Sequence, residues 1–199
     1  NFFGHPAFHK EPYRKERGYF TEGIESARTW VFYELFLDAV VAMRILMELP
    51  EVDPQRIGAM GMSQGAGISI WMGAWSRGIR AICADMPFLG RFDETLSRPV
   101  HRYPTKEITD YIADDPSRRE RVFRTISYFD TVTNALHCEV PTQVSLGLKD
   151  PAARPPTVRA IYDSLRGEKR LIEYDWGHDW HPDMVENNLA WLRSHLGGP

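Results

Sequence analysis

Cysteine is nearly absent: the 199 residues hold two, Cys83 and Cys138. Two thiols cannot build a disulfide framework, and by themselves they cannot close a zinc site. Cys83 lies in the apolar run from Ile79 to Ala84 and reads as a small buried hydrophobe. No apolar run is long enough to cross a membrane, so no membrane partner is expected. An excess of positive charge is missing too. Lys and Arg number 24 against 27 Asp and Glu, a net charge of -3, so no broad attraction to nucleic acid is expected. The densest basic cluster, Arg118-Arg119-Glu120-Arg121, is interrupted by an acid and reads as a solvated helix face. Internal repeats and low-complexity segments are lacking. No signal peptide is visible from Asn1 onward, and a cytoplasmic location is the expectation. What remains is the balance of an ordinary soluble domain, 43% hydrophobic and 26% charged, read as a single domain over residues 1–199.

The stretch from Asp53 to Gly67 organises the rest. Ile57 to Met60 are small and apolar, as in a strand buried on both faces. Gly61-Met62-Ser63-Gln64-Gly65 follows the pattern G-x-S-x-G, a sharp turn from strand to helix that lifts a serine hydroxyl above the sheet edge. The strained turn brings the flanking positions close to neighbouring backbone, and glycine at Gly61 and Gly65 is expected to relieve that collision. A helix from Ala66 would aim its amide dipoles back at the same point.

Around it the chain alternates. Residues 1–18, rich in His, Pro, Lys and Arg, read as a surface segment or lid. His5 and His9 have a helical ligand spacing that Pro6 spoils, so no metal is expected there. Glu22 to Leu49 is the longest helical pattern. From Trp30 to Leu49 it is apolar nearly all round, so cover by other structure is expected; Pro50 ends it. Strands are predicted at Ile79–Asp85, Thr142–Leu148 and Arg170–Tyr174. A helix is predicted from Pro155-Pro156 to Gly167. The closing helix is Asp183–Leu196, with Val185, Leu189, Leu192 and Leu196 inward. Residues 88–134, with scattered aromatics, prolines and charges, read as a cap-like excursion from the sheet.

Such alternation implies an α/β fold, a mostly parallel sheet with helices on both faces, and sites at the strand C-terminal ends. Ser63, Asp150 and His178 each directly follow a predicted strand, which would bring all three to one edge. Their roles would be nucleophile, orienting acid and general base. Asp85 and Asp175 compete for the acid, but Asp150 alone combines a strand end with the order Ser, Asp, His. His181 competes for the base, but His178 is nearer the strand and Gly177 frees its loop. The backbone N–H of Gln64 is the natural first oxyanion donor. Phe88, Leu89 and Trp180 are expected to line the acyl or sugar pocket.

At these residues the sequence resembles the acetyl xylan esterase and cephalosporin C deacetylase family, carbohydrate esterase family seven of the α/β-hydrolases. The matching stretches run from Thr21-Glu22-Gly23-Ile24 through Asp53 to Gly67, Met86-Pro87-Phe88-Leu89, Ile126 to Asp130, Gly147 to Asp150 with Pro155 to Val158, and Gly177-His178-Asp179. The resemblance implies an α/β-hydrolase fold and a Ser63–His178–Asp150 triad. It implies deacetylation of small acetylated sugars or related esters, no metal or organic cofactor, and a homo-hexamer. The sequence departs from the family pattern at Glu22, Ala66, Arg154 and Asp179, none of them in the triad. Two other readings remain: an acyltransferase or peptidase on the same fold, or a catalytically incomplete binding or assembly module.

The largest departure is length. Four strands are predicted here, and the N-terminal strands of the hydrolase fold have no match. The expectation is that the strand before Ser63 stands as a bare apolar edge. A missing N-terminal section or another chain would then supply its neighbour and the second oxyanion donor.

Overall fold

The structure, a computed structural model, describes residues 19–100 and 103–197; the reading of 1–18, with His5 and His9, lies outside them. Those described residues divide into two compact units, 19–38 with 92–128, and 39–91 with 129–197. Residues 92–128 therefore cluster with the start of the described chain, whereas 88–91 and 129–134 belong with the sheet.

The sheet unit is built as parallel α/β. Strands β1 (Ile57–Met62), β2 (Ile79–Asp85), β3 (Thr142–Gly147) and β4 (Lys169–Tyr174) lie side by side in sequence order, every pair parallel. Their C-terminal ends therefore share one edge. The four match the predicted strands to within two residues.

Helices cover both faces. Against one pack α2 (Gln64–Trp75) and α7 (Pro155–Ser164), burying Ile70, Val158 and Ile161 on Ile82, Val144 and Leu146. Each such side chain contributes about 1.5–3 kcal/mol on burial. Against the other packs α8 (Met184–Leu196), where Trp191, Leu192 and Leu196 meet Ala81 and Cys83.

The other unit gathers aromatic rings. Phe20, Trp30 and Phe32 pack edge-on or tilted, and the Trp30 indole N–H donates to the Phe20 carbonyl at 2.8 Å. Two amphipathic helices of this unit are α4 (Thr105–Asp114) and α5 (Arg119–Ser127), beside the short α3 (Phe92–Leu96). Tyr111 and Arg121 both donate to the Glu25 carboxylate, at 2.6 and 2.9 Å. The remaining short helix, α6 (Thr131–Ala135), belongs to the sheet unit, with Asp130 accepting from the Val132 N–H at its start.

Four expectations are corrected. The long helix is α1 (Val31–Glu48); residues 19–30 instead turn about Gly23, whose φ of 66° breaks the helix. Its apolar surface is not fully covered, with Val41 and Ile45 more than half exposed, and β1 is not buried on both faces, since Met60 is 53% exposed. For β1 the reason is the sheet order: among the described residues it is an edge, paired with β2 alone. On α8 the buried residues are Met184, Asn188 and Trp191, while Val185 and Leu189 are exposed. Leu192 and Leu196 do pack on the sheet as expected; in the first turns of the helix the buried stripe lies one residue away, about 100° of helix, where Asn188 joins a buried hydrogen-bond network. Among the described residues no helix is long and apolar enough to cross a membrane.

Candidate active site

Ser63 sits between β1 and α2 with φ 55° and ψ -113°, outside the allowed regions for an L residue. Three backbone hydrogen bonds hold it there. Its N–H donates to the Asp85 carbonyl at 2.8 Å, and its carbonyl accepts from Phe88 and Gly67 at 3.0 and 3.1 Å. A Cβ at Gly61 would lie 2.5 Å from the Gly65 carbonyl carbon, so the turn closes only over glycine there. Gly65 needs no such relief, because a Cβ there would meet nothing within 4 Å. The collision expected at both glycines belongs to Gly61 alone.

Asp150 follows β3 and is buried. One carboxylate oxygen accepts from the backbone N–H groups of Ala152 and Ala153, at 2.7 and 2.9 Å. The other lies 2.6 Å from His178 Nδ1. His178 follows β4, and its Nε2 lies 2.9 Å from Ser63 Oγ. With a carboxylate at Nδ1, that nitrogen carries the ring proton and Nε2 is left as the acceptor for the serine hydroxyl. The loops bearing Asp150 and His178 are tied directly: Leu148 and Lys149 N–H groups donate to the Tyr174 and Trp176 carbonyls at 2.8 and 2.9 Å. Gly147 permits that approach, since a Cβ there would sit 2.7 Å from the Trp176 carbonyl oxygen. Past His178, His181 stacks on Tyr174 with ring centroids 4.3 Å apart.

The remaining sequence candidates fall in different surroundings. Gln64 opens α2, where a backbone N–H has no partner inside the helix and is free for an anion. Phe88 is half-buried beside the turn, its N–H on the Ser63 carbonyl and its own carbonyl accepting from Thr131 Oγ1 at 2.8 Å. Leu89 is fully buried, so its side chain supports the segment from within; Trp180 is half exposed. Of the two rival acids, Asp175 pairs with Lys149 at 2.7 Å, and Asp85 is buried in contacts of its own. Cys83 is no rival nucleophile: burial first, then the nearby Asp85, pushes its thiol up to about 12.

In the segment after β2, sequence reading missed the strained backbone. Met86, Leu89 and Arg91 all take positive φ, with Ser63 the only non-glycine residues to do so among those described. Strain of this kind concentrates at functional sites and is held by surrounding structure. No composition cue marks it, because none of the three is glycine.

Residues 5–195 match the family model described as acetyl xylan esterase (AXE1). The chain belongs to the acetyl xylan esterase family. Members of this family are carboxylic ester hydrolases, and two of its solved structures superpose closely on the chain. The acetyl xylan esterase from Paenibacillus sp. R4 matches at 27% identity with a TM-score of 0.85, over 90% of this chain and 58% of its own. Acetyl xylan esterase 1 from Thermoanaerobacterium sp. JW/SL YS485 matches at 28% identity with a TM-score of 0.81, over 93% of this chain and 60% of its own. Among curated proteins, acetyl esterase Axe7A of Xylanibacter ruminicola is 21% identical over 91% of this chain and 40% of its own length. The chain thus spans less than two thirds of the length of each of these relatives.

Proposed function

We propose that this chain carries the catalytic triad of a serine carboxylesterase acting on small acetylated carbohydrates such as xylo-oligosaccharides, or on related esters such as cephalosporin C. The observation that carries the reading is the hydrogen-bonded series Ser63–His178–Asp150, at 2.9 and 2.6 Å. Ser63 Oγ attacks the acetyl carbon while its proton passes to His178 Nε2. Asp150 stabilises the imidazolium and holds the ring. The tetrahedral oxyanion accepts from the Gln64 N–H. His178 then protonates the departing sugar hydroxyl, leaving an acetyl ester on Ser63. A water attacks that ester with His178 again as base, releasing acetate and restoring the serine.

Phe88 and Trp180 line the acyl and sugar side of this site in the proposal, and no cofactor takes part. The second oxyanion donor, and a strand along the free edge of β1, come from chain beyond residues 19–197 or from a further copy in a homo-oligomer. The bare edge and the exposed Met60 support that part of the reading.

The test is Ser63→Ala assayed with p-nitrophenyl acetate and acetylated xylose, beside labelling of the native protein with a fluorophosphonate. A triad acting as a unit loses about a million-fold in kcat without its serine, and the label should sit on Ser63. Near-normal turnover by the variant removes the assignment. Absence of label in folded protein favours a binding module. Transfer of acetyl to an added alcohol, or cleavage of a peptide, in preference to ester hydrolysis favours the acyltransferase or peptidase readings.

A further inference from the structure

Beneath the triad edge, on the α8 face of the sheet, lies a buried polar chain that the proposed chemistry does not use. Asp85 ends β2 and is 1% exposed. One of its carboxylate oxygens accepts from Ser145 Oγ at 2.5 Å, the other from Asn188 Nδ2 at 2.7 Å. Asn188 Oδ1 in turn accepts from Gln143 Nε2 at 2.8 Å, and the Asn188 carbonyl lies 3.6 Å from Cys83 Sγ. No lysine, arginine or histidine among the described residues pairs with Asp85. A buried carboxylate without a counter-ion is costly, and burial pushes its titration upward. An amide or an apolar residue would spare that cost, so the carboxylate calls for a reason.

Its two ends supply one. The Asp85 backbone carbonyl holds the Ser63 N–H. The Asp85 side chain holds Asn188, in the second turn of α8. That helix begins at Met184, directly after the loop that carries His178, and Asn187 beside Asn188 donates to the Tyr174 hydroxyl at 2.9 Å. One residue thus fixes the nucleophile-bearing turn and the helix that anchors the base-bearing loop. Because a carboxylate only accepts, it also sets the polarity of the chain: Asn188 must present its NH2 to Asp85 and therefore its oxygen to Gln143.

We propose that Asp85 is a positioning residue, acting through Asn188 and the Ser63 backbone to hold the serine turn and the His178 loop in register. The proposal rests on the esterase reading for its kinetic consequence, though not for its geometry.

The test exchanges the two groups in the full-length protein. Asn188→Asp sets carboxylate against carboxylate and should lower kcat on p-nitrophenyl acetate by about 100-fold or more, the scale of a 1 Å misplacement, with KM little changed. In Asp85→Asn/Asn188→Asp the groups change places. The amide NH2 now on the strand donates to the carboxylate now on the helix, which still accepts from Gln143, and the amide oxygen still accepts from Ser145. Activity should return to within about tenfold of the native protein. Asn188→Ala, which removes the amide without adding charge, is the second single variant should Asn188→Asp fail to fold.

The far-downfield NMR resonance of the His178 Nδ1 proton gives a readout free of ester chemistry. It should broaden or shift in the single variants and return in the exchange. Native-like kcat and an unmoved resonance in both single variants overturn the proposal. So does an exchange that restores the melting temperature while leaving kcat and the resonance as in Asn188→Asp. If the native protein shows the resonance and its response but hydrolyses no ester, the positioning role stands and the esterase reading fails.

Discussion

Replacing Gly61 by alanine tests the mechanics of the serine turn. The added Cβ would lie 2.5 Å from the Gly65 carbonyl carbon, 2.7 Å from its oxygen and 3.0 Å from the Ala66 nitrogen. Carbon atoms rest about 3.5–4.0 Å apart, so relief requires roughly 1 Å of movement. All three obstructing atoms are backbone in the first turn of α2, so no side chain can swing aside. Overpacking of this kind costs about 1–3 kcal/mol. For a chain of this size each kcal/mol lowers Tm by about 2–4 °C, giving a fall of roughly 2–12 °C. Because Ser63 lies between the two clashing segments, the movement falls on the 2.9 Å contact to His178 Nε2, and kcat should drop about 100-fold.

Gly65→Ala is the control, since a Cβ there meets nothing within 4 Å. Alanine is the better helix former by about 1 kcal/mol, less in the first turn, so Tm should hold or rise slightly. Calorimetry and p-nitrophenyl acetate turnover on both variants decide it. A Gly65→Ala loss equal to that of Gly61→Ala, or a Gly61→Ala protein melting within about 1 °C of the native one, refutes the reasoning.

Two other expectations concern charge. Burial raises the Asp85 carboxyl above its ordinary value of 3.8, against the opposing effect of its Ser145 and Asn188 donors. The folded state therefore holds that proton more tightly than the unfolded state. The Asp85 contribution to stability is full below 3.8 and is lost as pH rises through the higher folded value. The Tm of the native protein minus that of Asp85→Asn should thus fall with rising pH and then level; a difference that is flat or rising across that range contradicts the buried carboxyl. Met60→Lys places a charge at a residue of β1 that is 53% exposed. If further chain covers that edge, the lysine should lower Tm and weaken assembly in sedimentation; a change within about 0.5 kcal/mol, as at ordinary surface sites, refutes the covered edge.

Local chemistry made much of this protein legible in its sequence. The four strands could be read because each is a short stretch with an apolar run or an apolar alternation near turn residues, and Ser63, Asp150 and His178 because each directly follows one. A parallel sheet converts that shared position along the chain into a shared position in space. The Ser63 turn declared itself through Gly61, whose missing Cβ is a purely local requirement. Other features needed the tertiary structure, because they depend on what lies across the sheet or is absent beside it. Helical spacing turned Val185 and Leu189 inward; the fold instead buries Met184, Asn188 and Trp191, since periodicity counts apolar area and gives no weight to an asparagine bonded to a buried carboxylate. Ile57 to Met60 carry the composition of a strand buried on both faces, and only the lack of a match to the N-terminal strands of the hydrolase fold pointed to an open edge; among the described residues β1 is that edge and Met60 is 53% exposed, because a strand's composition records the neighbours it can accept and not which are present. The positive φ of Met86, Leu89 and Arg91 leaves no trace in residue type, as that conformation is imposed by the strands and the serine turn around it.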